Sequence, residues 1–127
     1  MSSPLTRIRI ALEDGIIVVT LPDEPVCVDL PLANAILDEM IAVVAPDIRK
    51  HRLLVELKRM TVDRAARQYL TASERSERLS GAVAMVVDNP LARVVANLFV
   101  TLTRPEVPVR LFGDTASARA WLLDQEM

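Results

Sequence analysis

One histidine and one cysteine stand in 127 residues, so nucleophilic or metal chemistry would have to start from them. His51 lies in Arg49-Lys50-His51-Arg52, a basic run that reads as a solvated strand entrance. No serine stands beside it to build a Ser-His-Asp relay. Structural metal sites need several Cys and His ligands, so no metal site is expected. Cys27 sits between Val26 and Val28 and reads as a small buried hydrophobe. No partner that would stabilise its thiolate is indicated. Asp63 and Asp88 fall at strand ends and could serve an unrecognised carboxylate-dependent hydrolase only by converging. Helix caps require the same residue type at the same places. Gly15, Gly81 and Gly113 form neither a GxGxxG nor a Walker loop, and each falls where a turn is expected. No catalytic residue and no cofactor is assigned, and the chain reads as non-enzymatic.

Charge offers one sharper feature. Arg49 to Arg52 precedes an apolar strand, and Lys58 and Arg59 follow it. With the amides of a helix starting near Thr61, these residues could hold an anion or meet a partner. Arg64 and Arg67 lie one turn apart and could add to it. The overall balance is 15 basic against 17 acidic residues with 3% aromatics, so no nucleic-acid partner is expected. No run of 18 uncharged apolar residues is present, so no membrane insertion is expected. The opening MSSPLTR lacks the apolar core of a signal peptide, which makes the cytoplasm the expected location.

The elements that must position these residues alternate between two periods. Strands are predicted over about 5–12, 16–21, 52–57, 82–87 and 107–112, with Glu13-Asp14-Gly15 turning the first hairpin. Val26-Cys27-Val28 reads as a short edge segment between prolines. Helices are predicted over about 31–44, 62–73, 90–103 and 115–123, from apolar residues spaced three and four apart. Asp29, Thr61, Asp88 or Asn89, and Asp114 or Thr115 are candidate caps. Ala65, Ala66, Tyr69 and Leu70 are the expected inner stripe of the second helix. Repeated crossovers imply a parallel centre with right-handed connections. The fold class is α/β, a single domain over 1–127.

Helix 90–103 is apolar over more than one narrow stripe. Val95, Phe99 and Leu102 are expected to face the sheet, with Ala92, Ala96 or Val100 facing elsewhere. A second copy covering this helix would make a homodimer, with Ala96, Phe99 and Val100 as homomeric-face candidates. Deep burial within one chain is the other reading. A third is a small apolar ligand or lipid-binding module whose pocket lies near this helix.

Three stretches carry a family resemblance: Ala82-Val83-Ala84-Met85-Val86-Val87, Asn89-Pro90-Leu91-Ala92-Arg93-Val94-Val95-Ala96-Asn97-Leu98-Phe99, and Pro108-Val109-Arg110-Leu111-Phe112 with Ala120-Trp121-Leu122. Together with Leu54-Val55-Glu56-Leu57 and Asp63 to Tyr69, they resemble a bacterial family of small STAS-like, anti-sigma-factor-antagonist-like domains. The resemblance implies a mixed sheet of four to six strands with about four helices mainly on one face. It also implies a switch or scaffold that acts through protein partners. In the antagonist branch a phosphorylatable serine enters the second helix, and the matching position here is Thr61. Arg59-Met60 stands where an acidic residue and a serine are usual, so Thr61 reads as a plain helix cap. Thr61, Arg59, Arg64 and Arg67 are the regulatory or partner-face candidates, since two arginines and a helix start could receive a phosphate.

Overall fold

The structure is a computed structural model, and it describes residues 7–102 and 107–125. In chain order the elements are β1 (Arg9–Glu13), β2 (Ile16–Thr20), β3 (Val26–Val28), α1 (Leu30–Val44), β4 (His51–Glu56), β5 (Met60–Val62), α2 (Arg64–Ala72), α3 (Glu74–Leu79), β6 (Ser80–Val86), α4 (Pro90–Leu102), β7 (Val109–Phe112) and α5 (Thr115–Leu123). Asp14 and Gly15 both take positive φ, 53° and 77°. That is the primed turn whose twist matches an antiparallel hairpin, and β1 and β2 pair through it in register Glu13↔Ile16. The remaining neighbours are parallel, giving the order β1-β2-β4-β6-β7. This is the expected mixed α/β sheet, compatible with a STAS-like architecture.

Alternation on the central strands divides the core. Ile17, Val19, Leu53, Val83 and Met85 face one side, with α1, α2 and α4 packed over them. Ile16, Val18, Leu54, Ala82, Ala84 and Val86 face the other, where Ala118 and Leu122 of α5 meet them. The helices therefore lie mainly on one face, with α5 alone on the other.

Several local expectations change. Thr61 does not cap a helix. Residues 60–62 find a ladder partner in β3, with Cys27 opposite Thr61, so the helix starts later and Asp63 caps it. Ala66 N–H donates to Asp63 Oδ1 at 2.8 Å. The predicted helix over 62–73 ends at Ser73, whose extended backbone closes α2 and whose hydroxyl accepts from Ser76 N–H at 3.2 Å to open α3. Asn89, not Asp88, caps α4 (Ala92 N–H to Asn89 Oδ1, 2.8 Å). Asp114, not Thr115, caps α5. Gly81 lies inside β6 rather than in a turn. Ala65 is exposed, because the inner line of α2 runs through Ala66 to Tyr69 and Leu70. Residues 5 and 6 of the predicted first strand and residue 103 of the predicted fourth helix lie outside the described residues, and β7 begins at Val109.

Candidate functional site

The two residues with reactive potential exchange their expected environments. Cys27 is exposed, because alternation in β3 sends Val26 and Val28 inward and Cys27 out. His51 is buried, 4% exposed, on the same face of β4 as Leu53. Its Nδ1 lies 2.8 Å from the Arg49 carbonyl oxygen, so that nitrogen carries the hydrogen. A basic run in sequence does not keep the side chain in solvent, since β4 has already begun at His51.

The Thr61 region is only partly assembled. Thr61 is exposed beside Cys27 on the small β3–β5 sheet. Arg64 is exposed at the first position of α2, and Arg59 makes a loose 3.8 Å ion pair with Asp23. Arg67 points differently: it is half-buried, and its Nε is enclosed without a hydrogen-bond partner. The start of α2 already holds the Asp63 carboxylate, so an incoming anion there would compete with a fixed negative charge.

The fourth helix has a clear inside and outside. Ala92, Val95, Ala96 and Phe99 are buried, so Ala96 and Phe99 belong to the core of one chain and not to its surface. The expected orientation is corrected on this point: the inner stripe is 92-95-96-99, a three-one-three spacing on one helical face. Outside stand Leu91 (43% exposed), Val94 (59%), Leu98 (38%) and Val100 (37%). Of the three homomeric-face candidates, only Val100 is at the surface.

Beneath the helices on the same face of the sheet lies an apolar cavity of about 120 Å³. Val19, Leu53, Val83 and Met85 form its floor, and Ile36, Leu37 and Met40 of α1 form a wall. Phe99 closes it from α4, and Leu70, Thr71, Ser76 and Glu77 reach it from α2 and α3. A polar clamp fixes the broken helix above it. Arg75 donates to Asn34 Oδ1 (2.5 Å), to the Tyr69 hydroxyl (2.9 Å) and to Asp38, tying α3 to α1. Hydrogen bonding to Asp38, then to Tyr69, holds the Arg75 guanidinium above its ordinary pKa.

On the opposite face, Arg52 and Glu56 bracket α5. Arg52 Nε and a terminal nitrogen each donate at 2.6 Å, to the carbonyls of Leu122 and Gln125 at the helix end. Glu56 accepts from Thr115 Oγ1 at 2.7 Å at the helix start, and from Thr20 Oγ1 at 3.0 Å. A cation at the C-terminus and an anion at the N-terminus both suit the helix dipole. Strand spacing could have signalled this, because 52, 54 and 56 share one face and Leu54 belongs to the α5 core.

Residues 10–126 match the model of a domain of unknown function, DUF7793. The chain belongs to the DUF7793 family. No curated protein matches it, and no solved structure matches it. In this DUF7793 chain the two nominated carboxylates are engaged locally. Asp63 holds the first turn of α2, and Asp88 Oδ1 accepts from Asn89 Nδ2 at 2.9 Å. Among the described residues no group of three His, Cys, Asp or Glu is arranged to hold a metal ion, and no helix is long and apolar enough to cross a membrane.

Proposed function

We propose that the chain is a non-enzymatic, STAS-like protein-interaction module that pairs with a second copy of itself through α4. The observation that carries the reading is the row Leu91, Val94 and Leu98 on the outside of that helix, with Val100 exposed on its other flank. Leu91, Val94 and Leu98 are spaced by three and four, which makes a ridge along a helix. Two such ridges related by a two-fold axis are self-complementary, the usual arrangement of a homodimer. Arg93 is the only charged residue in α4, so the approach of two copies desolvates little charge. Burying one such side chain from full exposure is worth about 1.5–3 kcal/mol; these are already about half-buried, so pairing adds roughly half of that for each, counted twice across a two-fold axis.

In this proposal a separate protein partner would read the exposed Thr61, Arg59 and Arg64 beside the β3–β5 sheet. Arg67 would support them from beneath. Sedimentation velocity over a wide concentration range tests the homodimer. The wild type should run as a dimer, and Val94→Glu as a folded monomer with an unchanged circular dichroism spectrum. A wild type that stays monomeric at the highest concentration overturns the reading.

A further inference from the structure

The cavity beneath α1–α4 has a composition that selects among ligands. Most of its lining is aliphatic or thioether, and Phe99 is its one aromatic residue. Three of the chain's five methionines, Met40, Met60 and Met85, line it. Methionine is unbranched and polarisable, so a wall rich in it adapts to a guest more readily than one of β-branched residues. The volume, about 120 Å³, is close to that of engineered apolar cavities of about 150 Å³ that stay dry and take up benzene or xenon.

The polar rim is biased in one direction. Thr71 Oγ1 already gives its hydrogen to the Arg67 carbonyl at 2.8 Å, and Ser76 Oγ gives its hydrogen to the Leu70 carbonyl. What these two hydroxyls turn outward is lone pairs. The Ser80 hydroxyl can rotate either way. A guest with a hydroxyl would find acceptors there. A guest with a carboxylate would lose its hydration against a mostly aliphatic wall and meet these lone pairs in return.

We propose that this cavity binds one small neutral apolar molecule, of about the size of a single ring, and that it accepts an aromatic hydrocarbon or its hydroxyl derivative while rejecting the matching carboxylate. The site is independent of pairing through α4, because the ligand lies on the inner side of that helix. Benzene, phenol and benzoate are three probes of similar size that differ at one substituent. Methyl NMR of the full chain, with the Met40, Met60 and Met85 methyls as reporters, reads occupancy directly. Benzene and phenol should shift those resonances in a saturable way and raise the melting temperature, and benzoate should do neither. Leu53→Phe places a ring in the cavity from β4, and both effects of benzene should be lost in it. Val83→Leu intrudes less from the neighbouring strand and carries the same expectation, should the first variant fail to fold. Methyl resonances that ignore all three compounds overturn the proposal, as does benzoate binding as well as phenol. Sedimentation of the same samples reports the pairing separately, so either idea can fail alone.

Discussion

Removing the Arg52 head group should release α5 from the sheet. Arg52 is half-buried, and its two bonds to the end of α5 are each 2.6 Å long. Hydrogen bonds to a charged group are worth about 1.5–3 kcal/mol each, so a simple sum is about 3–6 kcal/mol. That sum is too large here. The carbonyls lie at a helix end where water can replace the guanidinium, and both partners are rehydrated in the unfolded chain. Arg52→Met keeps the stem that packs on the sheet and deletes only the head, so we expect a loss of about 2–3 kcal/mol. For a chain of this length that corresponds to a fall of about 10 °C in melting temperature. Arg52→Lys retains a charge at the negative end of the helix but not the two-pronged geometry. It should recover only the dipole contribution, about 0.3–1 kcal/mol. Urea unfolding gives the free energies, and hydrogen exchange locates the effect. Protection should fall first in α5 (Thr115–Leu123) while β4 and β6 hold. A loss below about 0.5 kcal/mol with α5 protection unchanged would show that apolar packing of Ala118 and Leu122 holds the helix without the arginine.

Two further outcomes follow from the hydrogen bonds of Asp114 and of Arg75. Asp114 accepts from Ser117 N–H at 2.7 Å and from Ser117 Oγ at 3.0 Å, and these bonds, the backbone one first, hold its pKa below the usual carboxylate value. A lowered folded pKa gives stability that is full above the unfolded pKa and is lost as pH falls through the folded one. Asp114→Ala should therefore be less stable than wild type at neutral pH, with the gap closing on acidification; a gap constant from neutral to strongly acid pH would refute the assignment. Arg75→Gln should cost under about 1 kcal/mol in global stability, since its ion pair with Asp38 is substantially exposed. It should nonetheless speed amide exchange in α3 (Glu74–Leu79) ahead of the rest, because the clamp to α1 is lost; uniform exchange across α1–α3 would show that it anchors nothing.

What the sequence reveals and what it hides divide along a physical line. The central strands are legible because their apolar runs are long and uninterrupted, as Ala82 to Val87 shows. The caps Asp29 and Asn89 are legible because a polar side chain followed by proline and an apolar stripe has one good local use. The β3–β5 pair is not legible at its second strand. Met60-Thr61-Val62 is three residues long, and only the distant Val26-Cys27-Val28 makes it a strand. The same non-local pairing moves the α2 cap from Thr61 to Asp63 and turns Cys27 outward. His51 misleads for a related reason: its charged neighbours describe the loop before it, while β4 fixes its own direction. On α4, counting apolar residues identifies an unusual helix but not its rotation. The choice of 92-95-96-99 as the inner stripe is made by the sheet and by the helices beside it.

The two faces of the sheet also explain why the cavity lies where it does. Toward α5 the strands present Ala82 and Ala84 to Ala118, and small side chains let a single helix sit close over Leu54 with Leu122 fully buried. Arg52 and Glu56 then hold both ends of that helix, so few degrees of freedom are left to open a void. Toward the other helices the same strands present Leu53, Val83 and Met85, and the cover is assembled from several pieces. One of those pieces is interrupted at Ser73, where α2 stops and α3 begins on a different line. The hydroxyl of Ser76, 5% exposed, turns back to the Leu70 carbonyl and satisfies a group that the broken helix would otherwise leave unpaired. The break is therefore hydrogen-bonded in place. A face built from long side chains and a fixed interruption can retain an internal space without unfolding, whereas the alanine-lined face cannot.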